Sequence, residues 1–271
     1  TTPLHTAAHK GNSEVLNLLL KYTQNVNILR KDFASPLFMA VQQNHIECVR
    51  VLLANGADIE WDAPIEPRKE DPLQRTVDTF SIIIAAARFG HTQIVEELIN
   101  HGADVNKPIG IVKAFPLVLA AQYGHAETVS LLLKKGADPD LRFDDKYTAC
   151  GIAARHGHPE VIRVLLEHGA DPEKTACGDS MAPPIILAVA YNNYECAKVL
   201  LDGGADIESR SSTGTTPLLA AVNYRSREIV HLLLERGADP NAVDGEGASA
   251  AEIARSEKDR IIYRMLIEAG A

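Results

Sequence analysis

Residues 148–172 read TACGIAARHGHPEVIRVLLEHGADP, and the period inside this stretch decides the fold. Thr148 can cap a short helix that turns Cys150, Ile152 and Ala153 inward, and Gly157 can close it in the left-handed conformation. His158 then stands at the cap of a second helix, with Pro159 in the first turn, where a missing N–H costs nothing. Val161, Val164 and Leu165 fall at i, i+3 and i+4 and make one apolar stripe, with Arg163 off it. Gly169 stops the helix and Asp171-Pro172 turns the chain away. One such helix pair cannot bury its stripe alone, so pairs must stack.

Working outward, the same row recurs from Thr2-Pro3-Leu4-His5, with later starts at Ser35, Ser81, Phe115, Thr148, Pro183, Thr216 and Ser249. Two columns never change: Ala at 7, 40, 86, 120, 153, 188, 221 and 254, and Leu at 19, 52, 98, 132, 165, 200, 233 and 266. A helix pressed between two neighbours has room for a methyl group only, whereas the second helix needs a bulky filler. The expectation is an all-α fold of eight repeats in one domain spanning 1–271.

The residues TPLHTAA at Thr2 to Ala8 carry a family signature. So do the Gly-Ala-Asp triplets at Gly56, Gly102, Gly136, Gly169, Gly204 and Gly237, and the Gly-His pairs at Gly90, Gly124 and Gly157. In these the chain resembles the ankyrin-repeat family over almost its whole length. The resemblance implies a solenoid of helix-turn-helix units with short β-hairpin or loop fingers, and protein partners seated on the fingers and the concave helix face. Departures have consequences. Only the first repeat keeps His5, whose family role is a bond between repeats; its column continues Phe38, Ile84, Val118, Gly151, Ile186, Leu219 and Glu252. Apolar packing is therefore expected to replace polar stapling. Arg225 and Lys258 stand where Gly11 does, so a left-handed turn there costs about 1 kcal/mol unless the turn changes shape.

Composition narrows the function. The 271 residues carry 27 basic and 36 acidic side chains, a net charge of −9, which gives nucleic acid little to bind. Aromatics are only 5%, so the core is built from Ala, Val, Leu and Ile. Cys48, Cys150, Cys177 and Cys196 show no metal-like spacing and read as buried reduced thiols of an intracellular protein, cytoplasmic or nuclear. No apolar run has membrane-spanning length and no signal peptide opens the chain, so no membrane partner is expected. The chain begins inside a repeat without Met, which reads as a fragment cut from a larger protein; as an isolated domain it is expected to be monomeric. Polar residues of the last repeat, Glu252, Arg255, Glu257, Lys258 and Asp259, read as a C-terminal cap.

A step of 46 residues against the usual 33 locates an insertion at about 61–78, between the second and third repeats. It carries the only tryptophan, Trp61, with Pro64, Pro67 and Pro72 and the charged run Arg68 to Asp71. A tolerated surface loop and a partner contact are both open readings.

Ten histidines raise a metal hypothesis. His91, His125 and His158 recur in register, but neighbouring helices sit about 8–10 Å apart, too far for shared zinc bonds of about 2 Å. Helix capping accounts for them instead. His156 and His158 straddle Gly157 without a Cys or carboxylate to complete a set, so no metal and no cofactor are expected. No phosphate loop, dinucleotide or nucleophile motif occurs, and Asp144-Asp145 sits in a turn, so no enzyme is expected. Leu98 with Asp104, Val105 and Asn106 looks like the hairpin that asparaginyl hydroxylases modify, though this is also plain repeat spacing.

The informative feature follows the invariant alanines. Arg88-Phe89, Gln122-Tyr123, Arg155-His156, Ala190-Tyr191 and Asn223-Tyr224 form an aromatic stripe edged by Arg. Interface centres favour Tyr and Arg; alternatively each ring packs over the adjacent turn. The function expected is a protein-interaction scaffold or recognition module. The alternative is a target-selecting domain of a larger enzyme or signalling receptor whose effector part lies outside this chain.

Overall fold

The computed structural model describes residues 2–23, 25–60, 81–108, 113–143, 147–174 and 182–271. Among these it has sixteen helices. They fall in two compact units, Thr1–Asp138 and Pro139–Ala271.

The first unit holds four helix pairs: α1 (Pro3–His9) with α2 (Ser13–Leu20), α3 (Pro36–Gln42) with α4 (Ile46–Ala54), α5 (Ile82–Arg88) with α6 (Thr92–Asn100), and α7 (Pro116–Gln122) with α8 (Ala126–Lys134). First helices pack on first helices, α1 on α3 on α5 on α7, and second helices likewise. The second unit repeats the arrangement with α9 (Ala149–His156) and α10 (Pro159–Glu167), α11 (Pro184–Ala190) and α12 (Tyr194–Asp202), α13 (Pro217–Asn223) and α14 (Arg227–Glu235), and α15 (Ala250–Ser256) and α16 (Arg260–Glu268).

Local chemistry starts each row. Ser35, Thr148, Thr216 and Ser249 accept from the backbone N–H three residues on, closing the N-termini of α3, α9, α13 and α15. Both invariant columns are core: Ala40, Ala86, Ala120, Ala153, Ala188 and Ala221 are 0% exposed, as is every column leucine from Leu52 to Leu266. Burying one such leucine contributes about 1.5–3 kcal/mol. The first repeat is the exception. Val15 is 43% exposed, whereas Cys48, Ile94 and Ile229 in its column are 0% exposed.

The fingers contain little strand. Among the described residues one ladder forms, β1 (Arg142–Phe143) antiparallel to β2 (Tyr147–Thr148), together with a lone bridge between Val243 and Ser249. The others are turns closed by side chains: Asp104, Asp171, Asp206 and Asp239 each accept from the N–H two residues on. The insertion with Trp61, the Asp144-Asp145 pair and Cys177 lie outside the described residues.

Polar stapling is relocated, not lost, which corrects the expectation from the His5 column. His5 makes its bond, Nε2 to the Ala34 carbonyl at 3.0 Å. Further along, the fingers take over. Asn106 donates to the Gly136 carbonyl at 2.9 Å and accepts from the Asp138 N–H at 2.9 Å, so both ends of its amide are engaged. In the second unit Asp140, Glu173 and Glu208 accept from the N–H of Asp171, Asp206 and Asp239 in the following repeat. These positions are variable in residue type, which conceals them in an alignment of rows.

The recurring histidines need a second correction. They stand at N-cap positions, yet His45, His91, His125 and His158 make no side-chain cap bond to their own helices. His45 and His125 instead reach back to the carbonyls of His9 and Arg88 in the preceding repeat, at 3.1 and 2.9 Å. Asn193 does the same to the Ala154 and Arg155 carbonyls. The left-handed glycine makes room for this: a Cβ on Gly90, at φ +70°, would land within the His125 ring, whereas one on Gly136, at φ +91°, meets nothing within 4 Å.

The turns at Arg225 and Lys258 keep the left-handed shape, at φ 57° and 58°. Arg225 offsets the strain by bonding both the carbonyl and the carboxylate of Glu257 in the next repeat. Asp259 does not belong to the polar outer face. It is 8% exposed, caps α16 through the N–H groups of Ile261 and Ile262, and pairs with Arg227 at 3.1 Å.

Two measurements check this account. Gly136→Ala is expected to cost about 1 kcal/mol of strain, and Gly90→Ala about 1–3 kcal/mol more through overlap with His125; equal losses in denaturant unfolding would contradict the His125 contact. Cys48, Cys150 and Cys196 are free and buried, and burial pushes the Cys150 and Cys196 thiols up to about 12. In a Cys177→Ser variant, a thiol reagent at pH 8 is therefore expected to find no reactive cysteine until the chain is unfolded, and three afterwards.

Candidate partner-binding surface

Each first helix ends two or three residues after its column alanine, and the side chain at that exit turns outward. Phe89, Tyr123, Tyr191 and Tyr224 are the C-cap residues of α5, α7, α11 and α13. They are 41%, 42%, 50% and 56% exposed, while the alanines before them are buried. Capping fixes the backbone of these positions and leaves the ring half in water.

In the first unit the Arg88 guanidinium carbon lies 6.0 Å from the Phe89 ring centre and 5.2 Å from that of Tyr123, one repeat on. Phe89 also stacks on His91 at 5.7 Å. Gln122, the last residue of α7, is half-buried beside Tyr123.

The second unit repeats the arrangement. Arg155 stands 5.0 Å from the ring centre of Tyr191 on the next repeat and 5.7 Å from that of Tyr147 on strand β2. His156 is exposed and lies parallel to His158 at 6.4 Å. Partial desolvation of the ring first, and then the charge of Arg155, hold its imidazole below the ordinary value. Among the described residues, no group of three or more His, Cys, Asp or Glu gathers in a way that could hold a metal ion.

Within each unit, then, Arg88 joins Phe89 and Tyr123, and Arg155 joins Tyr191; Tyr224 stands one repeat further. Trp61 lies outside the described residues. Tyr147 escaped the sequence reading. It sits in a finger, and only the hairpin, which pairs Phe143 with Tyr147, brings that ring against a helix residue eight positions on. A shallow cleft of about 400 Å³ on the second helices of the same unit is lined by Tyr194, Arg227, Glu228, His231 and Met265, and holds none of the predicted residues.

With this geometry in place, comparison with known proteins is direct. The family model described as ankyrin repeats (3 copies) matches residues 1–61, 82–176 and 177–270. The chain belongs to the ankyrin-repeat family, whose repeats are protein-interaction modules and whose fold is a non-catalytic scaffold. It is 32% identical over 109 residues to rabbit (Oryctolagus cuniculus) ankyrin repeat and SOCS box protein 5, a match covering 39% of this chain and 28% of that one. It is 29% identical over 109 residues to rice (Oryza sativa subsp. japonica) probable E3 ubiquitin-protein ligase XBOS31, covering 40% of this chain and 22% of the relative. The curated relatives are thus matched over less than a third of their length. The solved structure of the human ASB11 ankyrin repeat domain superposes over 100% of this chain and 99% of that one with a TM-score of 0.59 at 24% identity, a likeness of fold. Among the described residues, no helix is long and apolar enough to cross a membrane.

Buried imidazoles set a pH dependence. Burial is the first cause holding both His5 and His91 below their ordinary value. The folded state resists protons that the unfolded chain accepts from about pH 6.5 downward. This stability is present above about pH 6.5 and is lost as pH falls below it. The melting temperature is expected to drop between about pH 7 and 5.5, and His5→Gln to flatten the drop; an unchanged slope would remove His5 from the account.

Proposed function

We propose that this chain is a protein-recognition module with no chemistry of its own, and that its partner seats on the rings at the ends of the first helices. One observation carries the reading. In a chain with 5% aromatics, four rings occupy the same exit position and stay 41–56% exposed, each three residues after a fully buried column alanine. Core packing would have buried them, and interface centres favour Tyr and Arg. Phe89, Tyr123 and Arg88 serve in the first unit; Tyr191, Tyr224, Arg155 and His156 serve in the second. The net charge of −9 makes a protein a better partner than nucleic acid. Three buried free thiols suit a reducing, intracellular setting.

A second reading concerns the whole protein. Relatives are named for a SOCS box or as a probable ubiquitin ligase, and the matched stretch is a minor part of each. This chain would then select the target for an effector part outside it.

The test compares wild type with Tyr191→Ala/Tyr224→Ala in quantitative affinity enrichment, each protein checked by circular dichroism. Truncating a central ring is expected to weaken a partner by about 2 kcal/mol or more with the melting temperature retained. Loss of stability with partners retained would make the rings packing elements.

A further inference from the structure

Arg155 differs from most of its kind in this chain. Several other arginines pair with carboxylates, as Arg236 does with Asp202 at 2.8 Å and Arg264 with Glu268 at 2.7 Å. The Arg155 guanidinium makes no ion pair and no hydrogen bond among the described residues; it is half-buried and its contacts are the ring faces of Tyr147 and Tyr191. Ring contacts of this kind use none of the guanidinium N–H groups as ion-pair donors, so its five donors stay open to a partner. Arg88, with Phe89 and Tyr123, makes the same arrangement in the first unit, again without a carboxylate among the described residues.

We propose that Arg155, held between Tyr147 and Tyr191, is the seat for an aspartate or glutamate side chain of a partner peptide. The proposal rests on the ring-binding reading above and adds the chemistry of what binds. A carboxylate matches the guanidinium edge with two parallel bonds, and the rings supply apolar contact on either side of it. Each seat holds one arginine, so it suits one carboxylate; phosphate recognition uses clusters of cations. The overall charge of −9 repels a long acidic run, so the seat selects a single acid flanked by apolar or aromatic residues. Holding the arginine before the partner arrives lowers the ordering cost of binding.

The test uses the full chain against an array of 12-residue peptides, N-acetylated and C-amidated, so that side chains carry the only carboxylates. Each sequence is present with its acid, with the matching Asn or Gln, and with phosphoserine in its place. Retained peptides are expected to weaken about tenfold or more when the acid becomes the amide, a size set by the loss of a charge-assisted bond. Arg155→Gln should weaken the acid form by a similar factor and abolish its advantage over the amide, while Arg155→Lys restores part of it. Melting temperatures confirm that both variants fold, and Arg155→Lys keeps the charge in any case. An Arg155→Gln protein, and likewise Arg88→Gln for the first unit's seat, that still prefers acid over amide by the wild-type ratio would overturn the proposal for that seat. So would a preference for phosphoserine with no binding of the carboxylate form. Peptides that respond to Tyr191→Ala but not to the acid-to-amide exchange would overturn the carboxylate seat and leave the ring surface standing. No peptide retained, or peptides indifferent to both Tyr191→Ala and Arg155→Gln, would overturn both.

Discussion

Every other feature of the two units depends on the close approach of one first helix to the next. Helices of seven or eight residues are too short to persist in water, so they depend on the neighbouring helices that cover them. That demand fixes the column alanines, because a methyl group is all the gap admits, and it fixes the leucines behind them.

Stacking would leave many polar groups near each seam, and the way they are satisfied gives the repeats their register. His45, His125 and Asn193 bond the carbonyls at the exit of the previous first helix, above a left-handed residue whose missing Cβ clears the way. Finger residues such as Asn106, Glu173 and Glu208 hold the next finger's backbone. Polar groups that bridge repeats cost little to bury once bonded and are costly to orphan, so they penalise any slipped pairing. Where glycine is replaced, at Arg225, the new side chain itself becomes the bridge.

The same exit turn that carries these bonds presents the candidate surface. A residue one step before the left-handed position must leave the stack, so a ring placed there is held by its backbone and offered to solvent. Arginines at the preceding positions then stack on the ring of the following repeat, which turns a flexible cation into an oriented one. Recognition chemistry on such a scaffold can change residue by residue without disturbing the seam.

How much of this was legible in the sequence follows from its range. Helix order within a row depends on local capping, legible in residues 148–172 alone, and the period, the Ala and Leu columns and the ring positions depend on a spacing that recurs along the eight rows. The resemblance to ankyrin repeats, read from the TPLHTAA, Gly-Ala-Asp and Gly-His residues, agrees with the family match and with the fold. Tertiary structure alone decided which polar groups bridge repeats, why the histidines face backward, that Asp259 is buried, and that Tyr147 joins Arg155. Each of these joins atoms from different turns or different rows, through residue types that vary along a column. A one-dimensional pattern records which positions must be alike; it carries no distance between positions that merely meet.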